Sequence, residues 1–388
     1  MGKRDRGAIC TRAMKAIRNA KFILSNSIVE DKILLFDKQI VGFVDSVGDD
    51  VEVIDAKGMY VSAGFIDIHI HGSGGADVMD ATPDAISTIA QTILRYGTTA
   101  FVPTTMTMSK EHIINALENI KNYIPKSNEA SVIGVHMEGP FINANKTGAQ
   151  DSRYIVPIDL DLIDEYSDII SIITLAPEVS SNLDAIKKIH SRYPHIVLSI
   201  GHSQATFDEA MDSFEAGVSH ATHMFNAMPP YHHRDVGLIG AVFEVDRVSC
   251  DIIADTIHTH HSTLKLTYDL KPNNLILITD SMRAGCMRDG EYDLGGQRVV
   301  VKNNKATLED GVLAGSVLRL NSAVKNMIQY ARLSLIEAIS LVTKHPAQKL
   351  NLNKGLLSCG YDADIVIFDE EINVYISIIS GEIGYKRG

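Results

Sequence analysis

Residues 65–105 read FIDIHIHGSGGADVMDATPDAISTIAQTILRYGTTAFVPTT, and the fold follows from this stretch. FIDIHIH is a short apolar β run closed by a glycine-rich turn. PDAISTIAQTILRYG then spaces its apolar residues for one face of a helix, and TTAFVPTT is again a strand. The same strand and helix rhythm continues through EHIINALENIKNYI, SVIGVHMEG, LDLIDEYS, IISIITLAPE, NLDAIKKIHSRY, IVLSIGH, TFDEAMDSFEAG, VSHATHMFNAM, VSCDIIAD, TLKLTYDL and NLILITD. Eight β segments in that alternation predict an α/β fold of the (β/α)8, TIM-like barrel type over 64–349, in preference to a doubly wound sheet.

Outside this span the pattern changes. AKFIL, DKILLFD, QIVGFVD and VEVIDA before residue 64, and ADIVIFDEEINVYISIISGEIGYKRG near the end, are short β-rich segments punctuated by Gly and Asp. Segments 14–63 and 350–388 are therefore expected to join in one small β-sandwich domain, with the barrel inserted between them. Residues 1–13, MGKRDRGAICTRA, read as an unstructured extension ahead of Met14.

The chain carries 36 Lys plus Arg against 48 Asp plus Glu, a net charge of −12, which argues against nucleic acid or an anionic membrane surface as partner. An anionic substrate must then be met by a local cluster of donors. The four cysteines, Cys10, Cys250, Cys286 and Cys359, form no CxxC pair, which fits a reducing, cytoplasmic compartment. No apolar run approaches the ~20 residues of a membrane span, and the first residues lack the apolar core of a secretory signal.

A (β/α)8 barrel does its chemistry at the C-terminal ends of its strands. There the first strand offers His69 and His71, two residues apart and so on one face. The third ends on Glu138, the fifth on His202, the sixth on His223 and the eighth on Asp280. Imidazoles with carboxylates suit zinc or another borderline divalent ion with a position left open for water, and Asp280 is the candidate proton carrier.

The segments DIHIHGSGG, HMEGPF, GAQD, IGHSQAT, THMFNAM, HHRDVGLIGA, IIADTIH, LITDSMRAG and LAGS, taken in order, resemble the N-acetylglucosamine-6-phosphate deacetylases of the amidohydrolase superfamily. The resemblance implies hydrolysis of a linear amide bond, removing acetate from a small sugar phosphate, with one or two divalent ions per chain and a homodimer. It implies that Glu138, His202 and His223 hold the principal ion, joined by His69 and His71 where a second is bound, and that Asp280 is the catalytic acid/base. It assigns substrate contacts to Ala149, Gln150, Asn226, Ala227, Arg234, His258, Leu313, Ala314 and Gly315. A guanidinium fork at Arg234 and an imidazole at His258 suit a phosphate.

The chain departs from the family pattern at two positions. Gln150 stands where many members carry histidine, and Thr256 where glycine is usual. A sister activity on N-acetylgalactosamine 6-phosphate is the nearest alternative. An inactive scaffold is remote from this sequence, because every expected metal ligand and the acid/base are present. Relatives that bridge two metals with a carboxylated lysine need that residue at the fourth strand, which here offers Glu178.

Overall fold

The computed structural model describes residues 14–388 except residue 181, so the extension read over 1–13 lies outside the described residues. Strands Phe65–Ile70, Thr98–Thr105, Val135–Glu138, Ile170–Leu175, Val197–Ile200, His220–Ala221, Ser249–Ile253 and Leu275–Ile278 pair in that order, all parallel. We number them barrel strands 1 to 8. The ring closes where the Asp280 N–H donates to the His69 carbonyl and the His71 N–H to the Ser281 carbonyl, both at 2.9 Å. All six residues of strand 1 are buried, as expected of a parallel strand covered on both faces.

The helix Pro83–Leu94 begins where the sequence signals it. The Thr82 hydroxyl accepts from the Ala85 N–H, and Pro83 takes the first helical position, whose N–H has no intrahelical partner to lose. Its buried face, including Ile86, Ile89, Ala90 and Ile93, packs on the barrel.

The two chain ends meet in one sheet. Ile365–Phe368 pairs antiparallel with Tyr60–Ala63 in a six-stranded sheet that also holds Lys21–Ile23 and Val374–Ile379. A four-stranded sheet, built on Lys15–Arg18 and Ile33–Phe36, encloses with it a second core of Ile17, Phe22, Leu34, Phe36, Val61, Ile365 and Ile367. The fold is thus a TIM-like barrel with a small β domain formed from both termini.

Phe65 fastens the two units together. Its fully buried ring stands 6.2 Å from that of Phe368, and a Cβ on Gly97 would come within 2.8 Å of it. Truncation would leave a cavity at the seam between the two units. Phe65→Ala should therefore cost about 3–5 kcal/mol, measured as a lower urea midpoint by circular dichroism. A loss below about 1 kcal/mol, the range of ordinary surface substitutions and mild changes, would mean that the ring does not join the units.

One element was not foreseen. After strand 8 the chain forms an antiparallel sheet of Gly290–Leu294, Gln297–Lys302 and Lys305–Thr307 before the helix Leu320–Ala331. Its two-residue turns, Gly295-Gly296 and Asn303-Asn304, all have positive φ, the type I′ geometry that follows the twist of paired strands. No helix among the described residues is long and apolar enough to cross a membrane.

Candidate active site

Strand ends bring the expected side chains to one point. The backbone turns sharply there, with left-handed φ at His202, His223 and Asp280 (47°, 32° and 48°). Glu138 lies at the centre. Its Oε1 is 3.1 Å from His202 Nε2 and 2.9 Å from His223 Nε2, and its Oε2 is 3.1 Å from His71 Nε2. The Nε2 atoms of His69 and His71 face each other at 3.3 Å, and those of His202 and His223 at 3.1 Å. Asp280 Oδ1 stands 3.5 and 3.4 Å from His69 and His71.

The donor set fits a metal. His71 Nδ1 and His202 Nδ1 lie 3.1 and 2.8 Å from the carbonyls of Thr104 and Lys146. Each Nδ1 therefore carries the proton, which leaves the Nε2 lone pair pointing at Glu138. Facing imidazole nitrogens at such distances repel unless a proton or cation lies between them. Among the described residues two groups satisfy ligand spacing, His69 with His71 and Glu138, and Glu138 with His202 and His223, with the ligand atoms of each group within 4.8 Å of one another. Glu138 belongs to both.

The cluster opens into a cavity of about 220 Å³. Ala149, Gln150, Asn226, Ala227, His258, Leu313 and Gly315 line it together with Glu138, His71, His202, His223 and Asp280. Ala314 is fully buried and His69 lies beneath the floor, neither reaching the cavity. Arg234 does not line it either. The guanidinium is exposed, with Nη1 2.8 Å from His233 Nε2, because the 231–235 segment runs over the surface. The unforeseen hairpin supplies Leu294 to the lining, and its Gln297 Nε2 donates to the Ala149 carbonyl at 2.6 Å.

The sequence profile of the amidohydrolase family matches residues 60–384, which take in all of these groups. The chain belongs to the amidohydrolase family. It is 41% identical to the N-acetylglucosamine-6-phosphate deacetylase of Lysinibacillus sphaericus, over 86% of this chain and 87% of that protein. It is 29% identical to an N-acetylgalactosamine-6-phosphate deacetylase of Escherichia coli O157:H7, over 95% and 98% of the two chains. Among solved structures, that of the N-acetylglucosamine-6-phosphate deacetylase of Pasteurella multocida superposes with a TM-score of 0.91 at 28% identity, covering 96% of this chain and all of that one.

The electrostatics of this amidohydrolase suit a cation. Burial opposes ionisation of Glu138, but His69 and His202 outweigh it and hold the pKa well below the carboxylate norm. Asp280 is lowered too, burial being overcome by His69 and His71. Burial likewise pulls His71 down, yet Asp280 and Glu138 lift it well above an ordinary imidazole. A proton held so firmly marks a site of negative potential, and a divalent ion competes for the same lone pairs.

Other residues of this amidohydrolase site lie behind the ligands and were not singled out from sequence. Asp67 accepts from Thr279 Oγ1 at 2.6 Å and from the His69 N–H at 3.3 Å, tying strand 1 to strand 8; burial raises its pKa to about 7. Asp251 accepts from the backbone N–H of His223 through Oδ1 and faces His220 Nε2 at 2.9 Å through Oδ2. His136, whose pKa is pushed well down by burial and by His69, spans the Ile68 carbonyl and Thr174. Their signal was a polar residue inside an otherwise apolar buried strand. Glu178 instead braces the loop beside His202, accepting from Asn143, Ser203 and Gln204.

Proposed function

We infer that the chain hydrolyses the acetamide of N-acetyl-D-glucosamine 6-phosphate to acetate and D-glucosamine 6-phosphate. The observation that carries this reading is the pair of ligand groups sharing Glu138, with Asp280 beside them at the floor of a cavity whose lining also includes Asn226, Ala227 and His258. Nitrogen and carboxylate donors suit zinc, held principally by Glu138, His202 and His223. When bound, the ion polarises the acyl oxygen and makes a water acidic enough to attack.

The chain's own groups do the rest. Asp280 takes a proton from the attacking water and delivers it to the departing nitrogen, since an amine leaves poorly without one. Gln150 has both ends of its amide engaged: Oε1 accepts from the Thr107 N–H at 2.7 Å and Nε2 donates to Glu138 Oε2 at 2.6 Å. Its role in this reading is to orient Glu138. Asn226, Ala227 and His258 receive the polar end of the sugar phosphate, and the Leu313–Gly315 loop covers the ring. A homodimer in the cytoplasm accompanies this reading, and sedimentation velocity tests the dimer.

Relatives of higher identity favour the glucosamine epimer over the galactosamine one. The decisive experiment is acetate release from both sugar phosphates with added zinc. Faster turnover of the galactosamine ester would exchange the two, and no acetate from either would end the deacetylase reading.

Arg234, on the exposed segment that follows Asn226 and Ala227, is proposed to assist phosphate capture although it does not line the cavity. Arg234→Ala should then raise KM for the 6-phosphate and leave the slow turnover of unphosphorylated N-acetylglucosamine unchanged. Equal losses on both would assign it a structural part.

A further inference from the structure

The segment that follows strand 7, Asp255-Thr256-Ile257-His258, is built around one carboxylate. Asp255 Oδ1 accepts from the backbone N–H of Ile257 and of His258, both at 2.8 Å. Its other oxygen stands 2.7 Å from His258 Nδ1. Both side chains are nearly buried, at 9% and 7% exposure. Between them Thr256 holds φ 66°, a left-handed conformation that a β-branched residue adopts only when its surroundings impose it. The three bonds to Asp255 are what impose it here, where glycine would need no such support.

The chemical consequence falls on His258. With Nδ1 facing a carboxylate, the proton sits on Nδ1 and the plane of the ring is fixed. Nε2, which makes no hydrogen bond to any described residue, is the ring atom left for the cavity that His258 lines. A histidine tied by one nitrogen presents the other without having to lose rotamer freedom when ligand arrives.

We propose that Asp255 is a positioning residue for the substrate's phosphate, acting through His258 and touching neither substrate nor metal. The proposal rests on the deacetylase reading for its ligand. Asp255→Asn isolates the effect, because the remaining amide oxygen still accepts from the Ile257 and His258 N–H groups while the NH2 cannot accept from Nδ1. Losing that charge-assisted contact is expected to weaken ligand binding roughly tenfold.

The test is a double-variant cycle of Asp255→Asn and His258→Ala, with D-glucosamine 6-phosphate affinity measured by calorimetry beside steady-state kinetics on the acetylated ester. Asp255→Asn should raise Kd and KM about tenfold with kcat within about threefold of wild type. In the His258→Ala background the same change should alter Kd by less than about twofold, because coupled residues do not add. A full tenfold loss in both backgrounds, a kcat loss in place of a KM rise, or wild-type affinity in Asp255→Asn would overturn the proposal. If wild type binds the sugar phosphate but releases no acetate, the deacetylase reading fails and the cycle still decides the positioning role. If wild type binds no sugar phosphate, both fall.

Discussion

Asp280→Asn is expected to lower kcat by about 10² to 10⁴, the usual contribution of a positioned proton carrier, while the fold and the metal content stay those of wild type. The substitution is close to isosteric. Asparagine also tolerates the left-handed backbone that Asp280 adopts at φ 48°, so the bond from the residue-280 N–H to the His69 carbonyl that closes the barrel should persist. What disappears is the ability to carry a proton. Metal analysis and circular dichroism alongside acetate-release kinetics separate the two effects. Turnover within about tenfold of wild type at full metal content would remove Asp280 from the proton transfer.

The reasons Asp280 was legible and its supports were not are physical. A strand in a closed parallel barrel alternates inward and outward residues and ends at the working face, so His69, His71, Glu138, His202, His223 and Asp280 declare themselves by lying where a β run stops. Asp67 and Asp251 sit one step earlier, inside runs that already read as buried strand. The partner of Asp67, the Thr279 hydroxyl, is brought near only by closure of the ring between strands 1 and 8, and that of Asp251, the His223 N–H, by the pairing of strands 6 and 7. Nothing local specifies either contact. The hairpin of residues 290–307 differs, since Gly295-Gly296 and Asn303-Asn304 between alternating segments are a turn signal that sequence alone contains. The barrel rhythm, which calls for a helix after each strand, masked it. Arg234 is a different case: its residue type suits a phosphate, but its place on a surface segment, with the guanidinium outside the cavity lining, is set by the path of the 231–235 loop and not by any local pattern.

The second large effect concerns Glu138, the one side chain common to both ligand groups. Glu138→Ala should lose the tightly held metal and with it essentially all activity, because His202 and His223 are then a pair of neutral imidazoles without a carboxylate to balance a divalent charge, and His69 and His71 keep only Asp280, 3.5 and 3.4 Å away. The paired variant His69→Ala with His71→Ala should behave differently. It leaves Glu138, His202 and His223 intact, whose Nε2 atoms approach the same carboxylate oxygen at 3.1 and 2.9 Å. One equivalent of zinc should therefore remain, with partial activity. The site on the first strand should also be the weaker in wild type, since His69 and His71 add no charge of their own and share the carboxylate, so it empties first on dialysis against a chelator. Metal content by mass spectrometry, before and after such dialysis, reads all three proteins on one scale. Wild type saturating at one ion in excess zinc, or a double variant retaining two, would show that His69 and His71 serve the barrel's interior packing and that a single ion does the work. Retention of a full equivalent by Glu138→Ala would remove the shared carboxylate from the centre of the site.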